Sequence, residues 1–281
     1  MNKVEYSPLS GKHLSDYDEL GFMQSVLVLS DTEVRRYNSE IEKSCRALGN
    51  QVSRLDAPHL FFRWAWDLAT HPRVLDCMEE LLGPNILLKS TRLFYKHGQS
   101  AAFVTWHQDG ITEQLEDAQV PAVWIGLTAA TVENGCLRVV PRSHRIGLVP
   151  HIMRPHEATL TTDGVTAQVE IEAPHDIVMR AGEMSVHHPL ILHASNPNQS
   201  SQARIGFSAT YANASLRASR TPVAWVRGDG PRDHFEMVNA PPALSLANAV
   251  KMYRESGNQI FSGEVETFIS AQTIQDAAPS R

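Results

Sequence analysis

A change in hydrophobic periodicity at Gly83-Pro84 is the feature that most constrains the fold of this chain. Before this point apolar residues recur at helical spacing, as Val34, Tyr37 and Ile41 do on one helix face. After it, apolar residues come in short runs separated by turn signals, a pattern typical of antiparallel strands. The sequence therefore predicts an N-terminal helical part followed by a β-rich core.

Three helices are predicted in the first part of the chain. The first follows Ser30-Asp31-Thr32-Glu33, where a serine hydroxyl and a glutamate carboxylate can cap the N–H groups that a helix start leaves without partners. The second spans 61–69, and the third spans 72–82 and ends at Gly83-Pro84, because proline cannot continue a helix. A last helix is predicted over 243–253.

The β-rich part contains short apolar runs that predict an antiparallel sandwich or barrel. The predicted strands are 86–88, 93–95, 103–106, 122–127, 136–140, 177–179, 184–186, 190–192 and 205–211. We interpret the chain as one domain, 1–281, in which 1–84 is mostly helical support, 85–211 is the β core and 212–281 is a C-terminal segment.

Composition excludes several classes of protein. The net charge of −6 argues against a general nucleic-acid binder, which needs a basic face for phosphates. The sequence lacks an apolar run of about 18 residues, so no membrane-spanning helix is expected, and residues 1–11 do not resemble a signal peptide. Cys45, Cys77 and Cys136 are scattered and odd in number, which disfavours a disulfide framework. We expect a cytoplasmic protein with a small-molecule substrate, and with neither nucleic acid nor membrane as partner.

The segment Trp106-His107-Gln108-Asp109 is a candidate metal motif. In a strand, residues i and i+2 point to the same face, so His107 and Asp109 could bind one ion together. Two histidines and one carboxylate suit iron(II) and leave coordination positions open, as non-haem oxygenases require. The motif thus calls for a second histidine further along the chain.

The stretch from 187 to 195 offers three histidines for that role. We select His193, and we interpret His187 and His188 as packed, hydrogen-bonded core residues beside a proline. Arg204 follows His193 by eleven positions. A 2-oxoglutarate molecule chelated to a metal needs such a cation for its distant carboxylate, and the Ser195 hydroxyl could donate one more hydrogen bond. The alternative for Arg204 is an exposed arginine on a strand.

Taken together, these residues resemble the phytanoyl-CoA dioxygenase family over about 85–211. The resemblance is carried by His107-Gln108-Asp109, Trp124, Asn134-Gly135-Cys136-Leu137-Arg138-Val139-Val140-Pro141, Ser143-His144, His193-Ala194-Ser195 and Arg204. It implies a double-stranded β-helix, or jelly roll. It further implies that His107, Asp109 and His193 bind Fe(II), that Ser195 and Arg204 hold the C5 carboxylate of 2-oxoglutarate, and that Trp124 lies beside this co-substrate.

The implied reaction uses O2 to decarboxylate 2-oxoglutarate to succinate and CO2, and couples this to oxidation of an unactivated C–H bond. Hydroxylation is the default outcome, although desaturation and ring closure use the same residues. Some halogenases of the family replace the carboxylate ligand with a small residue, so Asp109 predicts oxygen transfer. Arg142 stands where relatives usually carry glycine, and it could be a surface residue or a substrate contact.

Other functions remain open at this level. The chain could be an acyl-CoA hydroxylase of the same family, a non-catalytic metal-binding sensor, or a cupin-type isomerase or hydrolase that uses zinc or manganese. A co-substrate clamp at Ser195 and Arg204 argues against a sensor, which has no need of one. No Lys/Arg cluster suited to a coenzyme A diphosphate stands out, so we expect a small free metabolite as substrate.

Overall fold

A computed structural model describes residues 9–113, 120–161, 164–215, 222–230, 232 and 235–256. The helices are α1 (Gly11–Leu20), α2 (Asp31–Leu48), α3 (Arg63–Ala69), α4 (Pro72–Leu82), α5 (Gly110–Glu113) and α6 (Leu246–Ser256), with 3-10 turns at Pro58–Leu60 and Ser143–Ile146. The strands are β1 (Phe22–Leu27), β2 (Arg54–Asp56), β3 (Ile86–Lys96), β4 (Val104–His107), β5 (Ala122–Gly126), β6 (Leu137–Val139), β7 (His151–Met153), β8 (Val165–Ala167), β9 (His175–Ile177), β10 (Glu183–His187), β11 (His193–Ser195), β12 (Arg204–Asn213) and β13 (Ala224–Arg227).

The helices predicted from local signals form where expected. α2 starts at a reciprocal cap, in which the Glu33 N–H donates to Ser30 Oγ and the Ser30 N–H donates to Glu33 Oε2. α4 ends at Gly83, whose φ of 77° is readily adopted by glycine. α3 begins two residues later than predicted, and α6 is shifted three residues towards the C-terminus.

Within the described residues the strands form a seven-stranded major sheet, a four-stranded minor sheet and a two-stranded ribbon. The major sheet has the order β1-β10-β5-β12-β3-β13, with β2 also paired to β3; the minor sheet has the order β4-β11-β6-β9; the ribbon is β7-β8. Neighbouring strands run antiparallel. The predicted jelly-roll core is confirmed, and the two sheets of this described part do not close into a barrel.

Several strands differ from the prediction. Phe22–Leu27, expected in a mostly helical region, is an edge strand of the major sheet, paired with β10. The predicted runs 86–88 and 93–95 are parts of one continuous strand, β3. The run 190–192 is not a strand, because here the chain crosses from β10 in the major sheet to β11 in the minor sheet. In the C-terminal segment β13 extends the major sheet, while 257–281 lies outside the described residues.

The helices cover one face of the major sheet and leave the other face for the site. Val123 and Ile125 of β5 join Phe207 of β12 and the apolar faces of α2, α3 and α4 in the largest buried cluster. Trp124 points the opposite way and packs between the sheets with Leu137. This alternation is the period-two geometry of a strand. Among the described helices, none has both the length and the apolar character needed to cross a bilayer.

Candidate metal and co-substrate site

The three predicted metal ligands meet at the ends of two paired strands. His107 closes β4 and lies opposite His193, the first residue of β11. Asp109 Oδ1 is 3.5 Å from His107 Nε2 and 3.8 Å from His193 Nε2. One possible ligand atom from each residue lies within 4.8 Å of the others, close enough to hold one metal ion.

Asp109 reaches this position by a route that strand alternation does not describe. β4 ends at His107, and the chain turns into α5 immediately after Asp109. The N–H of Gly110 donates to the carbonyl of Pro189 at 2.9 Å, which ties the turn to the segment that precedes His193. The carboxylate is therefore placed by a turn and by contact with the neighbouring segment.

Hydrogen bonds to the backbone orient both imidazoles for metal binding. His107 Nδ1 is 2.8 Å from the carbonyl of Thr105, and His193 Nδ1 is 3.1 Å from the carbonyl of Ile191. A carbonyl only accepts, so each Nδ1 carries the hydrogen and each Nε2 lone pair faces Asp109. Burial, followed by the charge of His107, lowers the pKa of His193 to about 3, which keeps it in the neutral form that metals require.

The electrostatics also keep the acid ionised. Burial alone would raise the pKa of Asp109, but the electrostatic influence of His193 and then of His107 brings this pKa below its ordinary value. A carboxylate with two neutral imidazoles is the ligand set of non-haem iron(II) sites with open coordination positions. The donor set thus fits iron(II).

Gln108 lies between His107 and Asp109 in the sequence, and its fully buried side chain links neighbouring segments by hydrogen bonds. Its amide nitrogen donates to the carbonyls of Gly147 and Leu190 at 2.9 and 2.6 Å, and its Oε1 accepts from the N–H of Val149 at 2.9 Å. Its backbone N–H donates to His151 Nε2 at 3.1 Å. Burial lowers the pKa of His151 to about 4, so this nitrogen can accept. The sequence carries no signal for His151, which is 43 residues away.

Arg204 lies at the first position of β12 and is only 2% exposed, which excludes the alternative of a surface arginine. Its Nη2 donates to the carbonyl of Gly135 at 2.6 Å, and its guanidinium carbon is 5.1 Å from the centre of the Trp124 ring. Within the described part of the chain, its buried Nε has no hydrogen-bond partner. Burial lowers the pKa of Arg204 to about 10, so the guanidinium stays charged at neutral pH.

Trp124 approaches Arg204 because residue 206 is glycine. A Cβ at Gly206 would lie 2.0 Å from the Trp124 ring, so any larger residue would displace the indole. Trp124 also lines the cavity that contains the three candidate ligands. The structure thus brings Trp124 beside both Arg204 and the candidate metal site.

Ser195 is paired with a lysine that sequence reasoning missed. Lys96 Nζ donates to Ser195 Oγ at 2.7 Å and also to the carbonyl of Asn196. Lys96 is fully buried and lies opposite Arg204 in the β3–β12 register. Burial and then the charge of Arg204 lower the pKa of Lys96 to about 6. Because Ser195 Oγ accepts from Lys96, its own hydrogen remains available for donation.

Two neighbouring histidines have different surroundings. His188 is partly exposed, and its Nδ1 accepts from the N–H of Leu190 at 3.1 Å. His187 is buried but lines the cavity, with its ring 5.3 Å from that of His193. Its Nδ1 has no hydrogen-bond partner among the described residues, so the interpretation of His187 as a hydrogen-bonded core residue is wrong at that atom. β10 turns this side chain inward, next to β5.

Arg142 is a surface residue. Its side chain is 56% exposed and forms an ion pair with Glu19, and it is not among the residues that line the cavity. Its φ is 69°, in the left-handed region that glycine adopts without steric cost. This backbone conformation accounts for the glycine expected at this turn.

Comparison with known proteins agrees with this geometry. A family model for phytanoyl-CoA dioxygenase (PhyH) matches residues 17–206. The peroxisomal phytanoyl-CoA dioxygenase of Homo sapiens is 26% identical over 229 residues, covering 70% of this chain and 67% of that protein. The L-proline trans-4-hydroxylase of Streptomyces griseoviridis is 28% identical over 239 residues, covering 75% and 88%.

Similarity also extends to solved structures. The apo form of the non-haem monooxygenase ThoJ superposes with a TM-score of 0.73 at 28% identity, covering 93% of this chain and 98% of that one. The family match spans more than half of the chain and includes His107, Asp109 and His193. The chain therefore belongs to the phytanoyl-CoA dioxygenase family and is a 2-oxoglutarate-dependent non-haem iron dioxygenase.

Proposed function

We propose that His107 Nε2, the Asp109 carboxylate and His193 Nε2 bind Fe(II), and that the enzyme hydroxylates an unactivated C–H bond of a small metabolite. The observation that carries this proposal is the convergence of these three ligand atoms within 4.8 Å on the wall of one cavity. The backbone-bonded Nδ1 atoms and the ionised carboxylate support it, since they present lone pairs to the same point.

Arg204 and Ser195 are proposed to hold the C5 carboxylate of 2-oxoglutarate. The buried guanidinium offers an Nε without a partner in the described part of the chain, and a carboxylate would satisfy it with charge-assisted hydrogen bonds. Lys96 supports this clamp by fixing the Ser195 hydroxyl, to which its Nζ donates. Trp124 forms the wall beside the co-substrate.

Iron(II) with 2-oxoglutarate and O2 supplies the oxidising power, with succinate and CO2 as co-products. The protein's part is to orient the two organic molecules and to exclude water from the reaction. Arg204, Ser195 and the three candidate ligands line the same cavity, so a co-substrate bound there would reach both the clamp and the metal. A small substrate is supported by the proline hydroxylase relative, which acts on a small amino acid. The alternative substrate is an acyl-CoA.

The proposal is tested with protein purified without oxygen. We expect one Fe(II) per chain, and release of succinate and CO2 from 2-oxoglutarate when O2 is admitted. A sensor would bind iron without releasing succinate. A cupin-type isomerase or hydrolase would contain zinc or manganese and would not consume 2-oxoglutarate. Either result would replace the proposed function.

A further inference from the structure

A second basic region of the cavity, formed by Arg54 and Arg92, has no role in the proposed metal site or co-substrate clamp. Arg54 is on β2 and Arg92 is on β3, two strands that pair antiparallel with Arg92 opposite Asp56. Both arginines line the same cavity as His107 and His193. The sheet thus presents two guanidinium groups to the space in which a substrate must bind.

One carboxylate holds these guanidinium groups together. Arg54 Nε and Nη2 donate to Asp56 Oδ1 at 2.9 and 2.6 Å, and Arg92 Nε donates to the same oxygen at 3.1 Å. Arg54 Nη1 also donates to the carbonyl of Leu160 at 2.7 Å, which fixes its direction along the cavity wall.

Low exposure strengthens the electrostatic consequence of this arrangement. The side chains of Arg54, Arg92 and Asp56 are 18%, 28% and 21% exposed, so water screens their charges poorly. Burial and then repulsion from Arg92 lower the pKa of Arg54, which indicates that the two cations interact electrostatically.

The cluster is distinct from the clamp at Arg204. In the β3–β12 register Lys96 lies opposite Arg204, whereas Arg92 lies opposite Ser208. Lys96 and Arg92 are four residues apart on β3, which is about 13 Å at the rise of an extended strand. A co-substrate held at Arg204 and at the metal therefore leaves Arg92 to a second molecule. Ser208 also lines the cavity and adds a hydroxyl at the same level.

We propose that Arg54 and Arg92 bind an oxyanionic group of the substrate, and that the substrate is a small carboxylic acid. This inference rests on the proposed function, because it assigns the substrate class of the same site. Guanidinium groups bind carboxylates through charge-assisted N–H···O bonds. The phosphates of an acyl-CoA share this chemistry. Because the cluster and the metal ligands line one cavity, the geometry favours a free acid whose charged group binds within that cavity.

The test measures binding to anaerobic protein loaded with Fe(II) and saturating 2-oxoglutarate, so that the Arg204 clamp is occupied. Calorimetric titrations compare aliphatic and aromatic monocarboxylic acids with their primary amides and with coenzyme A. At least one acid is expected to bind about tenfold or more tightly than its amide. Arg92→Gln and Arg54→Gln should each lower the affinity for that acid by about tenfold or more. The affinity for 2-oxoglutarate should change much less.

Arg227→Gln is the matched control. Arg227 is 24% exposed and is paired with Asp76 and Glu79, away from the cavity. It should leave acid binding unchanged, and melting temperatures show whether each variant is folded. If Arg54→Gln fails to fold, Arg92→Gln alone decides.

Three outcomes would overturn the inference. In the first two, no acid binds better than its amide, or coenzyme A binds in preference to every acid. In the third, Arg92→Gln lowers the affinity for 2-oxoglutarate rather than the affinity for the acid. A failure of the proposed function appears separately, as wild-type protein that neither binds Fe(II) nor releases succinate.

Discussion

Replacing Arg204 with alanine should weaken 2-oxoglutarate binding far more than iron binding. The guanidinium is 2% exposed, so a carboxylate that pairs with it is also withdrawn from water. Loss of one partner of such a charge pair costs about 2–5 kcal/mol, which corresponds to roughly 30-fold or more in affinity. Arg204 is not a candidate metal ligand, so the affinity for Fe(II) should change little.

The substitution also has a structural cost that must be measured separately. It removes the hydrogen bond to the Gly135 carbonyl and the contact with the Trp124 ring. An unsatisfied buried group costs about 1–3 kcal/mol, which should lower the melting temperature. Arg204→Lys keeps a positive charge but lacks the planar fork, so its affinity for 2-oxoglutarate should fall between those of wild type and Arg204→Ala.

The assay is the dependence of succinate release on 2-oxoglutarate concentration, together with an anaerobic Fe(II) titration. Arg138→Ala is the control, because Arg138 forms an ion pair with Asp176 and does not line the cavity. An unchanged 2-oxoglutarate dependence in folded Arg204→Ala would place the clamp elsewhere. Equal losses of iron and 2-oxoglutarate affinity would indicate general damage to the site.

Three further predictions concern the metal ligands and their support. His193→Ala should abolish Fe(II) binding and succinate release, whereas His188→Ala should keep measurable turnover; loss of iron in His188→Ala but not in His193→Ala would refute the ligand assignment. Asp109→Gly should weaken Fe(II) binding by about 10-fold or more and remove most hydroxylation, measured by iron titration and product mass; near-normal hydroxylation would exclude Asp109 from the site. His151→Phe removes the acceptor of the Gln108 N–H and should weaken Fe(II) binding by up to about 10-fold. The affinity for 2-oxoglutarate should fall less than the affinity for Fe(II). Unchanged iron affinity in the folded variant would contradict this positioning role.

Features that depend on a few neighbouring residues could be predicted from the sequence. The Ser30–Glu33 cap and the apolar spacing after it define α2, and Gly83-Pro84 defines the end of α4. The short runs after Pro84, apart from 190–192, overlap antiparallel strands of the structure. Edge strand β1 was missed because its hydrogen bonds are made with β10, far along the chain, and no local signal marks that partner.

The candidate site likewise contains residues that the sequence could predict and residues that it could not. The residue types and spacings of His107, Asp109, His193 and Arg204 were sufficient to propose a metal and co-substrate site, because each belongs to a short motif. The residues that support or extend that site come from distant segments. Lys96 meets Ser195 across 99 positions, and the proposed acid-binding pair joins β2 to β3.

The inward position of His187 was likewise decided by tertiary structure. Its neighbour His188 has the same chemistry and almost the same sequence context, yet only His187 lines the cavity. The physical reason is that His187 is the last residue of β10, whose pairing with β1 and β5 determines which of its faces is the inner one, whereas His188 lies just beyond the strand. Local sequence specifies the alternation, but register and sheet packing assign each face to the cavity or to its surroundings.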